Sequence, residues 1–204
     1  MTRRLPLTLW IASLVVSGCG GGGGGGSGHT AHLPAETGLC GWITATGDYY
    51  TSNEEPHAGD LYLPPTALEE GRRGFLSFDI SSIPPTATVV SATLRYRLVW
   101  DPATPFGLGR LVFDQVVYGD VLDVGAYDRA FPVNQAFADV EGAPPGSVSE
   151  VDATAPVQSD LASMHSRSQF RLRFELETNH DQKTTDVYIE LFGASPPELV
   201  VRWQ

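Results

Sequence analysis

Residues 73–100, RGFLSFDISSIPPTATVVSATLRYRLVW, decide the fold. Residues 74–78 are short and apolar through Phe75, Leu76 and Phe78; Asp79, Ser81 and Ser82 then supply side chains that favour a turn over a continuing ladder. Pro84 and Pro85 make that turn a corner, because neither can donate to a neighbouring strand. After Thr88 the pattern has a period of two. Ala92, Leu94, Tyr96, Leu98 and Trp100 fall on one face and Thr93, Arg95, Arg97 and Val99 on the other, which predicts a half-buried antiparallel strand.

The same signals recur on both sides of this pair. Upstream, residues 41–46 read as a first strand, a long polar stretch follows, and residues 62–64 return briefly to an extended form. Downstream, residues 101–109 are a Pro/Gly loop, and residues 110–118 a strand in which Leu111, Phe113, Gln115 and Val117 alternate. Residues 151–154 predict a short strand leading into one helix over about 155–164. Pro156 suits its first turn, and Val157, Leu161 and Met164 form its apolar stripe. Residues 169–177 place Phe170, Leu172, Phe174 and Leu176 inside and Arg171, Arg173, Glu175 and Glu177 outside. Strands over 186–192 and 198–203 complete the chain. Many short strands, Pro/Gly turns and a single helix predict an all-β fold, an antiparallel β-sandwich of jelly-roll type over residues 39–204. That length suffices for one core without a second domain.

The segment FLSFDISSIPPTATVVSATL resembles the hallmark of the DNRLRE, or family 96 carbohydrate-binding-like, domains of secreted bacterial and archaeal proteins. SQFRLRF, DVYIELF and PPELVVRW are similar to the closing three strands of that family, so the resemblance covers most of residues 41–203. It implies a secreted β-sandwich that binds carbohydrate at its surface. The Trp-rich segment common in the middle of the family is replaced here by VYGDVLDVGAYDRAF, so no ligand contacts carry over from the resemblance.

The N-terminus sets the expected location. Arg3 and Arg4 precede an apolar run over residues 5–16, and Val16-Ser17-Gly18-Cys19 closes it with small residues, the layout of a signal peptide over residues 1–18. The run is shorter than the roughly 20 residues that a membrane-spanning helix needs. Val-Ser-Gly-Cys resembles a bacterial lipobox, which implies cleavage before Cys19, its lipidation, and an anchor of several acyl chains. Gly20, not Asp, follows the cysteine, which resembles outer-membrane lipoproteins; the expected location is the bacterial outer membrane or cell surface. The Gly-rich residues 20–28 cannot pack and read as a tether with a reach of roughly 15–18 Å, within a leader taken to extend over residues 19–38. His29 and His32 read as part of that leader, with no carboxylate or cysteine fixed beside them to complete a metal site.

Charge excludes some partners. The chain has 13 basic and 24 acidic residues, a formal charge of −11; loss of Arg3 and Arg4 leaves 11 against 24, or −13, so nucleic acid is not an expected partner. Lys183 is the one lysine, which leaves little room for lysine-based covalent chemistry. With Cys19 lipidated, Cys40 has no partner in the mature chain and reads as a small buried apolar residue.

No catalytic motif is present: no Gly-x-Ser-x-Gly, no phosphate loop, no His-Glu-x-x-His. The expectation is a module without catalysis and without a cofactor. Asp48, Glu54, Glu55 and Asp60 lie close enough in sequence to gather oxygen ligands for a structural Ca²⁺, but their spacing lacks the regular Asp-x-Asp-x-Asp-Gly pattern and fits a plain acidic loop better. Asn179, Asp181 and Asp186 are a second such set. For sugars, aromatic faces on loops are the first requirement, and Tyr49, Tyr50, Tyr118 and Tyr127 are the candidates by context. Arg95, Arg97, Arg171 and Arg173 point outward by alternation. They either read uronate carboxylates of an acidic polysaccharide with bidentate forks, or pair across strands with Glu175, Glu177 and Glu190. The expected function is a membrane-anchored lipoprotein binding an envelope or extracellular polysaccharide; the alternative is a structural or protein-interaction lipoprotein.

Overall fold

The structure is a computed structural model that describes residues 28–47, 50–66, 68–100, 107–129, 136–140 and 144–204. Twelve strands are present among them: β1 (His29–Pro34), β2 (Gly41–Thr44), β3 (Tyr50–Ser52), β4 (His57–Leu63), β5 (Leu68–Asp79), β6 (Val89–Trp100), β7 (Leu111–Val116), β8 (Ala136–Asp139), β9 (Val148–Asp152), β10 (Arg167–Phe174), β11 (Thr185–Ile189) and β12 (Glu198–Trp203). One α-helix, α1 (Thr154–Ala162), lies between β9 and β10. Every strand pairing is antiparallel, so the fold is all-β as expected.

The ladder runs β1-β12-β6-β11-β4-β5-β10-β7-β8, and the two long strands organise it. β6 spans both layers. Its first part pairs with β12 on one edge and β9 on the other, and its end, Leu98 to Trp100, pairs with β11. β5 pairs with β4 over its first half and with β10 over its second, while β2 takes its opposite edge between Arg72 and Phe75. The main core lies between the layers, with Leu94, Tyr96, Leu199 and Val201 from one side and Leu76, Phe78, Phe113 and Phe170 from the other. The alternation read in β6 holds: Ala92, Leu94, Tyr96 and Leu98 are buried and Arg95 is exposed. Cys40 is buried and unpaired, as its apolar reading required.

Three expectations are corrected. His29 and His32 belong to no tether: β1 pairs in continuous register with β12, His29 opposite Trp203 and His32 opposite Val200, and the His29 ring stacks on Trp203 at 5.5 Å. A short polar sequence forms a strand here because a free sheet edge satisfies its backbone groups. Second, the inside face of β10 ends at Phe174. Leu176 is 54% exposed, and Met164, beyond the end of α1 with φ 58°, is 83% exposed.

Third, Arg171 does not point to solvent; it is 2% exposed. The alternation was right but the outer face of this sheet is covered. Ile43, Phe75, Val116, Tyr118, Leu122, Ala126 and Tyr127 form a second apolar cluster there, contributed by β2, β5, β7 and the segment after β7 that carries a 3₁₀ turn, Val124–Ala126. β7 and β10 are therefore covered on both faces: all six residues of β7 are buried.

Candidate functional site

The buried arginine of β10 shows first what the outward-arginine reading becomes. Register puts Arg171 opposite Asp114, and the carboxylate takes Arg171 Nη2 at 2.9 Å and Arg173 Nε at 2.5 Å. Arg171 Nη1 also donates to the Tyr127 carbonyl at 2.7 Å. Burial lowers the Arg171 pKa, and Asp114 pushes back. On β6, Arg95 lies opposite both Glu150 and Glu198 and donates to Glu150 at 2.7 Å, with Glu198 at 3.7 Å; Arg97 reaches Glu190 at 3.0 Å. Structural pairing across strands thus accounts for all four arginines.

The tyrosine candidates divide. Tyr118 and Tyr127 are buried, not loop aromatics open to a ligand: the Tyr118 hydroxyl donates to the Leu39 carbonyl at 2.7 Å, the Tyr127 ring lies 4.0 Å from the Arg73 guanidinium, and the Tyr127 hydroxyl donates to Glu177. Both pack into the second cluster from the segment after β7, which has no periodic pattern that would show them as buried. Tyr50 enters through its backbone pairing with Ile43, whereas Tyr49, Asp48 and Cys19 lie outside the described residues. Of the acidic set, the described members Glu54, Glu55 and Asp60 form no metal-holding group. Glu54 is exposed, Glu55 half-buried, and Asp60 fully buried with Oδ1 accepting from the Thr185 backbone N–H at 2.7 Å. Of the second set, Asp181 accepts from the Lys183 backbone, and Asp186 is engaged by His57 and Arg72. Among the described residues no group of three or more His, Cys, Asp or Glu side chains is arranged to hold a metal ion.

What the fold does assemble is an aromatic face from residues far apart in sequence. β11 pairs with β4 so that Tyr188 lies directly opposite His57, and their rings stack at 5.1 Å. Trp42, from β2, meets His57 edge-on at 6.2 Å. All three are half-buried. Beneath Trp42 sits the guanidinium of Arg72, 5.8 Å from the ring centroid and 7% exposed. Asp186, 37% exposed at its side chain, ties the parts together: Oδ1 lies 2.8 Å from His57 Nδ1 and 3.2 Å from Arg72 Nη2. Burial pushes the Asp186 carboxyl up, but the His57 hydrogen bond and the Arg72 charge outweigh it and hold the pKa below the ordinary value.

Two glycines make the face possible. Gly59, at φ 136°, is opposite Asp186, and a Cβ there would stand 1.9 Å from the Thr185 carbonyl oxygen, so β4 and β11 approach only because no side chain intervenes. Gly74, opposite Trp42, would place a Cβ 2.9 Å from the Pro56 carbonyl carbon. Trp42, His57 and Tyr188 are far apart in the sequence, and nothing local in it shows that β2, β4 and β11 become neighbours.

Two other polar groupings are smaller in scope. Asp160 in α1 is a buried hub that accepts from Gln115 at 2.7 Å and Ser168 at 2.6 Å, with His165 Nδ1 at 3.1 Å. Serine and histidine both bond to the carboxylate there, which is not the nucleophile–base–acid order that hydrolysis requires. A cleft of about 320 Å³ lies between Pro34, Arg95, Tyr96, Val148, Pro197 and Glu198, where Arg95 is already held by two glutamates.

Compared with protein-family models and with curated proteins, the chain matches no family model and no curated relative.

Proposed function

We propose that this protein is a lipid-anchored envelope protein whose sandwich is a non-catalytic polysaccharide-binding module. The observation that carries the reading is the half-exposed row Trp42, His57 and Tyr188, with Asp186 and Arg72 fixed beside it. A saccharide needs an apolar aromatic surface for its C–H face and charged or polar groups for its hydroxyls. Both are present, on strands held rigid by their neighbours. The lipobox-like Val16 to Cys19 and the Gly-rich stretch behind it supply the anchor and the reach, and the resemblance to the DNRLRE domains points the same way. No helix among the described residues is long and apolar enough to cross a membrane.

The test is a glycan array probed with the full-length protein in detergent micelles, wild type beside Trp42→Ala. Binding to one or more polysaccharides that falls at least tenfold in the variant is the expected result. An array silent for wild type would remove the sugar reading in favour of a protein-interaction role.

A further inference from the structure

We infer that the ligand of the Trp42 face is a neutral glycan and that the face turns away polyuronates; this rests on the reading that the face binds sugar. The reason is where the charges stand. A uronate is normally captured by a free guanidinium fork. Arg95, Arg97, Arg171 and Arg173 are each already held by carboxylates, two of them by direct cross-strand register. The one arginine at the face, Arg72, lies under Trp42 with its Nη2 on Asp186 and within 3.5 Å of the Asp60 and Thr185 carbonyls. Its side chain is 7% exposed, so a ligand carboxylate cannot reach the guanidinium.

The exposed member of that ion pair is Asp186, 37% exposed at its side chain against 7% for Arg72. Its depressed pKa keeps it ionised at neutral pH. A sugar hydroxyl can donate to such a group, whereas a uronate brought onto Trp42 would set a second carboxylate against it. The chain's formal charge of −11 adds a repulsive field of the same sign. Both effects discriminate against acidic polymers without weakening a neutral one.

Calorimetric titration decides the matter, using full-length protein in micelles against a neutral β-glucan oligosaccharide and an oligogalacturonate of equal length, at low and high salt. The expected result is that the glucan binds with little salt dependence. The uronate should bind about tenfold more weakly or worse, and salt should narrow the gap by screening the repulsion. Asp186→Asn should narrow it as well. Because that variant unpairs Arg72 and can lose its fold, a thermal melt accompanies it, and the wild-type salt series stands alone if it unfolds. Equal affinities, or a uronate that binds more tightly and weakens with salt, would overturn the inference while leaving the sugar reading in place. Silence from both ligands, with the array also silent, would remove the sugar reading and this inference with it.

Discussion

Asp60 is buried with one carboxylate oxygen, Oδ2, that has no hydrogen-bond partner. Burial raises its pKa, with the charge of Glu69 adding to the rise. A carboxyl whose folded pKa lies above the unfolded value of about 3.9 is stabilising while protonated and costs stability as pH rises through the folded pKa. Asp60→Asn keeps an acceptor for the Thr185 N–H and removes the charge. It should therefore melt higher than wild type at pH 7, with the difference shrinking toward pH 4; a variant that melts lower at pH 7 would mean the charge is compensated. Cys40 was legible from sequence because an unpaired cysteine among apolar neighbours has few other uses. Burial pushes its thiol up to about 12. The native protein should leave a thiol reagent unreacted at pH 8 and titrate one thiol from Cys40 on unfolding in guanidinium.

At the scale of elements, β6 and β12 were readable because each shows one face to the core and one to solvent, so period-two alternation is complete in the sequence. β10 obeyed the same pattern and misled, since its second face is covered by the Tyr118 and Tyr127 cluster, and only tertiary structure shows that cover. The starts of β4 and β5 were invisible because, apart from Ala58 and Leu68, their residues are polar or glycine and show no apolar alternation; pairing makes them strands. The two faces of β10 give separable predictions. Phe174→Ala, on the main core, should cost about 3–5 kcal/mol. Asp114→Ala, on the other face, leaves the buried Arg171 charge without its carboxylate and should also cost about 3–5 kcal/mol. Arg95→Ala, on an exposed pair, should leave the urea midpoint unchanged within error. Equal losses for Asp114→Ala and Arg95→Ala would mean that the second face is open to water.

For the whole molecule, the anchor and the binding face are independent claims. Cys19→Ser should move the protein from the membrane fraction to the soluble one; retention after a salt wash would contradict lipidation at Cys19. The overall fold class was legible because turn signals and alternation are local, whereas the aromatic face was not, since it joins β2, β4, β5 and β11 from positions 42, 57, 72, 186 and 188. Local pattern carries no information about which strands become neighbours. The measurement closest to the central claim is therefore one that locates the ligand. Heteronuclear NMR of isotopically labelled protein, titrated with a neutral glucan oligosaccharide, should shift the indole N–H of Trp42 and the amides of His57, Asp186 and Tyr188, while the indole of Trp203, stacked on His29, stays still. Shifts confined to Arg95, Val148 and Glu198 would move the site to the cleft those residues line and contradict the account.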